Sequence, residues 1–181
     1  MIHPQQRELA RNKVKQILQS VSIVLTPEET EQIEVADFGL NDLDRVGLQL
    51  ITYINTDRVC AKELVLFPNQ TCPQHYHPSV NGLPGKEETF RCRWGDVYLY
   101  VPGDPTPNPK ALAPQGLEKY FPLRHEVHLR PGEQYTIPPE TPHWFQAGPQ
   151  GAVVSEFSSK STDEFDIFVD QRIIRDPNAG E

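Results

Sequence analysis

A train of short alternating runs, broken every few residues by Gly, Pro, Asn or Asp, most narrows the folds open to this chain. GLQLITYIN, ELVLFP, TFRCRW, DVYLYV, HEVHLRP, EQYTIPP, WFQAG and AVVSEFSS follow one another from about residue 47 with no long helical pattern between them. They are rich in β-branched and aromatic residues and have the length of strands. Strands at this spacing pair antiparallel and form a sandwich or barrel. A length of 181 residues suits one domain with its own core. The 18 prolines and 11 glycines suit a turn-rich β protein. The expectation is an all-β domain with short N-terminal helices. Residues 1–45 form a helical arm packed on the barrel, 46–175 the barrel, and 176–181 a polar tail.

Two helices are predicted in the arm. Over residues 4–20, Leu9, Val14, Ile17 and Leu18 recur at near-helical spacing while Arg and Lys take the other faces. Thr26 followed by PEETEQI supplies an N-cap, a proline at the first helical position and acidic residues in the first turn. The proline-rich segment 101–120 lacks alternation and is expected as an exposed rim or dimer-contact loop.

Composition removes several function classes. A formal net charge of −8 argues against general nucleic-acid binding and against anionic membrane surfaces. No apolar run is long enough to span a bilayer, and the N-terminus lacks the apolar core of a secretory signal. Cys60, Cys72 and Cys92 are odd in number and lack CxxC spacing, so they read as reduced thiols in a cytoplasmic protein.

The chemistry concentrates in QHYHPSVNGLPGKEETFRCRWG (74–95) and PPETPHWF (138–145). His75 and His77 are two apart, so on a strand both imidazoles point to one side. Glu88 heads the next strand-like run and His143 follows a Pro-rich turn. Three imidazoles and a carboxylate form a mixed N/O set suited to Mn, Fe, Co, Ni or Zn rather than Mg or Ca. On a six-coordinate ion that set leaves positions free for substrate, as in a catalytic centre.

The HxH pair, Glu88, Gly95 and PGEQYTIPPETPH at 131–143 resemble the two motifs of the cupin superfamily. VADFGLNDLDRVGLQLITYINTDRVCAKELVLFPNQTCPQHYHP, PGKEETFRCRWGDVYLYVPGD and IPPETPHWFQAG resemble, more specifically, the small cupin-type D-lyxose isomerases, which include mannose-active relatives. That likeness extends over about residues 35–175. Against a generic cupin, the loop 78–87 is long and Glu140 stands where Gly is common; the isomerase family tolerates both. The resemblance implies a cupin jelly roll, D-lyxose/D-xylulose interconversion with D-mannose/D-fructose as a second activity, and Mn²⁺, with Co²⁺, Fe²⁺ and Zn²⁺ as alternatives.

Two adjacent oxygens of an open-chain sugar would fill the free positions, and a base would then move a proton through a cis-enediol; a hydride shift is the other route. Glu156 shares a face with Ala152 and Val154, so its carboxylate is expected to be desolvated, raised in pKa and able to act as the base. Lys86, two before Glu88, is the candidate acid or sugar ligand, and Asp166 and Arg172 are further candidates for sugar hydroxyls. Trp144 is placed either over a sugar ring or in packing that orients His143. His125 and His128, three apart, are left outside the site. The rival readings are an Fe(II) cupin oxygenase, a sugar-sensing cupin and a phosphosugar isomerase. The last needs phosphate-binding cations, and Arg91 and Arg93 have the wrong parity to face the metal. A homodimer is expected from the helix-bearing arm.

Overall fold

In the computed structural model, which describes residues 2–175, the chain builds an antiparallel jelly roll. Its strands are β1 (Glu34–Ala36), β2 (Leu48–Asn55), β3 (Cys60–Leu66), β4 (Thr71–Tyr76), β5 (Glu88–Val101), β6 (His125–Leu129), β7 (Gln134–Ile137), β8 (His143–Ser158) and β9 (Ile167–Phe168). The tail expected at 176–181 lies outside the described residues.

β5 and β8 pair along nearly their whole length and pass through both layers. The first half of β5 and the second half of β8 join β7, β3, β2 and β1 in one layer. The other halves join β6, β4 and β9 in the opposing layer. The sequence reading separates TFRCRW from DVYLYV and WFQAG from AVVSEFSS, whereas the structure fuses each pair into one strand. Gly95 shows why: at φ 73° its backbone lies so close to the facing strand that a Cβ would stand 2.0 Å from the Gly151 carbonyl oxygen. It marks a bulge inside a strand rather than a turn between two.

Between the layers, Leu48, Leu50, Leu64, Leu66, Phe90, Val97, Leu99, Phe145 and Val154 form the main core. Each such side chain contributes about 1.5–3 kcal/mol relative to exposure. The helix α1 (Pro4–Ser20) lies on the outer face of the first layer, where Ala10, Val14 and Leu18 meet Val35, Ile51, Val65 and Val153. Leu9, expected in that stripe, is 65% exposed, and Ala10 takes its place. α2 (Pro27–Glu31) starts with a reciprocal capping box between Thr26 and Glu29. The segment before residue 46 is not helical throughout, because β1 extends the sheet alongside β2.

The proline-rich segment is not simply an exposed rim. Ala111 and Phe121 are buried with Tyr100 and Trp144 on the outer face of the second layer. Trp144 stacks on Tyr100 at 3.8 Å and donates to the Leu123 carbonyl at 3.4 Å. It points away from the side of β8 that carries His143, so it packs a loop and does not close over a sugar. Among the described residues, no helix is long and apolar enough to cross a membrane.

Candidate metal centre and active site

The expected ligands converge at the interior end of the barrel. His75 is the last residue but one of β4, where a ladder irregularity between Cys72 and His75 turns it inward opposite His143 at the start of β8. His77 lies just past β4. The loop 78–87 then packs so tightly that a Cβ on Gly85 would stand 2.0 Å from the His77 carbonyl oxygen. That contact lets a long loop return Lys86 and Glu88 beside the histidines.

Each imidazole is anchored by Nδ1. His75 Nδ1 donates to the Pro73 carbonyl at 2.8 Å, and His143 Nδ1 to the Thr141 carbonyl at 2.9 Å. His77 Nδ1 meets Asp166 Oδ1 at 2.5 Å. Carbonyls only accept, so Nδ1 of His75 and His143 carries the proton and their Nε2 atoms keep a lone pair for the interior. Ligand atoms of the three histidines all lie within 4.8 Å of one another. Glu88 Oε1 is 3.1 Å from His77 Nε2 and 2.9 Å from His143 Nε2. An ion about 2.1 Å from each donor sets neighbouring donors about 3 Å apart. His143 Nε2 is also fully buried and makes no well-formed hydrogen bond. These residues fit a divalent cation, with the N/O donor set of a transition ion.

Electrostatics divides the histidines. Burial, then His143 and His77, hold His75 well below its usual range, so it is neutral. Burial also opposes a charge on His77, but Glu88 and the Asp166 hydrogen bond outweigh it and push the pKa up to about 9. For Glu88, burial is overcome by Lys86, His77 and His143, which keep it well below the ordinary carboxylate range.

Beside the ligands lies a layer of ion pairs. Lys86 Nζ is 3.0 Å from Glu88 Oε2, 3.0 Å from Glu156 Oε1 and 3.3 Å from Asp163 Oδ1. Burial disfavours its charge, yet Asp163, Glu156 and Glu88 raise its pKa well above normal and hold it as a cation. Glu156 is 4% exposed and accepts from Ser158 at 3.2 Å. It is buried as expected, but against Lys86 rather than an apolar wall. Lys62, its cross-strand neighbour on β3, pairs with Asp163 and donates to Ser161 Oγ at 2.8 Å. Arg175 joins Asp163 at 3.3 Å. His77, Asp163 and Asp166 also cluster closely, but Asp163 is already paired with Lys62, Lys86 and Arg175, and Asp166 with His77.

Lys62, Asp163 and Arg175 line the candidate site although nothing in the sequence reading singles them out. Lys62 had a signal, since alternation along β3 places it with Leu64 and Leu66. Asp163 and Arg175 sit on a 3₁₀ turn and an irregular tail, where no periodicity points inward. Arg172 does not belong to the site. It is exposed, pairs with Asp170 at 2.6 Å and lies over the Tyr120 ring, because the tail turns it outward after β9. Arg91 contacts Gln134 and Arg93 contacts Ser155, both on the outer face. His128 pairs with Asp96 far along β5.

The ligands and the ion-pair layer enclose a cavity of about 30 Å³, room for an ion or a water. Its remaining wall is apolar, formed by Phe38, Leu48, Leu50, Leu64 and Phe168. A cleft of about 460 Å³ lies outside, and Lys62, Asp163 and Arg175 line both spaces.

A double-layered β roll with three inward Nε2 atoms and one carboxylate at its mouth defines the class: the chain is a cupin. The likeness extends to solved structures. The L-ribose isomerase of Acinetobacter sp. DL28 in complex with L-ribose superposes with a TM-score of 0.79 at 17% identity, covering 95% of this chain and 94% of that one. That of Cellulomonas parahominis with L-ribose gives 0.77 at 18%, with the same coverage. No protein-family model matches. The D-lyxose/D-mannose isomerase of Thermosediminibacter oceani is 64% identical over 167 residues, 92% of each chain. The D-lyxose ketol-isomerase of Cohnella laeviribosi is 62% identical over 168 residues, 93% of this chain and 92% of that protein. The chain belongs to the D-lyxose ketol-isomerase family and is an aldose–ketose isomerase.

Proposed function

We propose that the chain interconverts D-lyxose and D-xylulose, with D-mannose and D-fructose as a second pair, by proton transfer through a cis-enediol. The carrying observation is Lys86, within 3.0 Å of both Glu88 and Glu156 beside the three Nε2 atoms. His75, His77, Glu88 and His143 would hold a divalent cation, Mn²⁺ by family likeness with Co²⁺, Fe²⁺ or Zn²⁺ as alternatives. When bound, it would polarise the sugar carbonyl and stabilise charge developing on oxygen.

The chain's residues account for the proton. Glu156 takes it from the carbon next to the carbonyl and returns it to the neighbouring carbon. Lys86, held as a cation beside Glu156, gives a proton to the sugar oxygen that gains charge and takes back the proton of the neighbouring hydroxyl, so that one C–H and one O–H proton are each shifted between the two carbons. Asp166 fixes the orientation of His77 and lines the same cavity. A buried carboxylate beside the ligands disfavours the oxygenase reading. The cavity's cations, Lys62, Lys86 and Arg175, are each paired with carboxylates, which disfavours a phosphosugar.

Glu156→Gln is the test. Loaded with Mn²⁺ and given D-lyxose in D₂O, the unmodified protein is expected to incorporate deuterium into D-xylulose. The variant should keep one bound ion per chain while kcat falls by about 10²–10⁴-fold. Undiminished turnover in the variant, or product free of deuterium, would refute Glu156 as the base.

Cation binding should also depend on pH. His77 must lose its proton to become a ligand, and that proton leaves near pH 9. Affinity should therefore rise by about tenfold per pH unit from about pH 6.5 and level off near 9. His75, already neutral, adds no slope. Calorimetry in buffers of different ionisation enthalpy should count about one released proton near pH 7.5; zero would remove His77 from the ligand set.

Buried, unpaired Cys60, Cys72 and Cys92 support a cytoplasmic protein. For the expected homodimer, Ile54 and Phe157 are exposed and flank Ala61 on one sheet face. Light scattering should give twice the chain mass, and a monomer at micromolar concentration would contradict it.

A further inference from the structure

The apolar wall of the cavity contains a residue in an unusual conformation. Phe38 has φ 54°, in the left-handed region that a bulky side chain rarely adopts, yet it is only 3% exposed and lines the cavity. The conformation is fixed from several directions. Gly39 N donates to Asp37 Oδ1 at 3.1 Å, Leu40 N to the Asp37 carbonyl at 3.0 Å, and Ile174 N to the Phe38 carbonyl at 3.0 Å. These bonds tie the 37–41 turn to the tail that supplies Arg175. A backbone held this way delivers one ring to one place.

That place is two ring contacts from the candidate metal centre, on the wall of the same cavity. The Phe168 ring lies 5.3 Å from His75, and the Phe38 ring 5.7 Å beyond Phe168. A sugar anchored at the His75 end by its first two oxygens extends its remaining carbons away from the ligands. Successive C–C bonds of about 1.5 Å would carry the far end several ångströms from the ligands, a reach comparable with the ring spacings that separate Phe38 from His75. The cavity as it stands has room only for an ion or a water, so a sugar would enter by displacing the Lys62, Asp163 and Arg175 pairs that line both it and the outer cleft. Phe38 is on the other side, fixed by its turn.

Resting on the isomerase reading above, we propose that Phe38 is the specificity-determining residue that limits how long a sugar the cavity accepts, favouring a five-carbon over a six-carbon aldose. Phe168 is a poorer candidate for this role, since it pairs with His75 across β4 and β9 and its removal would disturb a candidate ligand. Phe38 stands one ring further from the candidate ligands, packed against Phe168.

The test compares kcat/KM for D-mannose and D-lyxose in Phe38→Leu and Phe38→Ala, with bound Mn²⁺ and near-ultraviolet circular dichroism confirming the fold. The mannose-to-lyxose ratio should rise severalfold in Phe38→Leu. In Phe38→Ala it should rise by about 10-fold or more, within the 10–200-fold that a small change in an apolar pocket produces. Calorimetric binding of D-mannitol should likewise gain on D-arabinitol, independently of turnover. If Phe38→Ala does not fold, Phe38→Leu decides. A ratio within about twofold of the unmodified protein, for both turnover and alditol binding, would overturn the proposal. Failure of the unmodified protein to convert either sugar would instead refute the isomerase reading.

Discussion

His77→Ala should bind Mn²⁺ at least about 10²–10³-fold more weakly and convert D-lyxose at background rate. The lower bound follows from ligation in general, because even a partner behind a metal-binding histidine is worth 10–100-fold in affinity or activity. Here the ligand itself is removed, and Asp166 is left buried without the imidazole that it meets at 2.5 Å. A matched variant, Asp166→Asn, keeps the ligand and loses only that partner, so its loss should be confined to about 10–100-fold. Equilibrium dialysis of Mn²⁺ with turnover assays on the same samples measures both. Full ion occupancy and full turnover in His77→Ala would dismantle the proposed centre.

Lys86→Met should destabilise the cation-free protein by about 3–5 kcal/mol, the usual consequence of removing one member of a buried ion pair. The reason is what it leaves behind: Glu88, Glu156 and Asp163 all lie within 3.3 Å of the lost ammonium and have little access to water. At roughly 2–4 °C per kcal/mol for a chain of this size, the melting temperature should fall by about 6–20 °C. Saturating Mn²⁺ should restore part of this, because Glu88 then has the cation to face. Turnover should stay low even when loaded, since the hydrogen-bond donor beside Glu156 is gone. Urea unfolding with and without Mn²⁺ separates the two effects. A loss below about 1 kcal/mol would mean that the buried carboxylates do not depend on this lysine.

Much of this architecture was written locally in the chain. Thr26, Pro27 and Glu29 announce α2 because a capping box is complete within four residues. His75, His77, Glu88 and His143 were legible because their residue types are chemically distinctive and their strands alternate. Contacts between distant segments were harder to read. Nothing near Asp163 indicates that it will meet Lys62, Lys86 and Arg175, which are brought to it from β3, the loop before β5 and the tail. Arg172 shows the reverse error, since its charge suggested a sugar contact while an irregular tail turned it to solvent. Gly95 was visible as a breaker, but only the facing Gly151 carbonyl explains why the strand continues through it.

The bulge where Gly95 of β5 faces Gly151 of β8 has a geometric consequence. Along an unbroken strand, residues 143 and 156 would project to opposite faces, since thirteen positions separate them. Yet the imidazole of His143 and the carboxylate of Glu156 both look inward. β8 advances from Ala147 to Ala152 while β5 advances only from Gly95 to Val97, and this unequal stride inverts the phase of everything downstream. The facing of candidate ligand and candidate proton acceptor thus depends on the odd number of steps from Ala147 to Ala152.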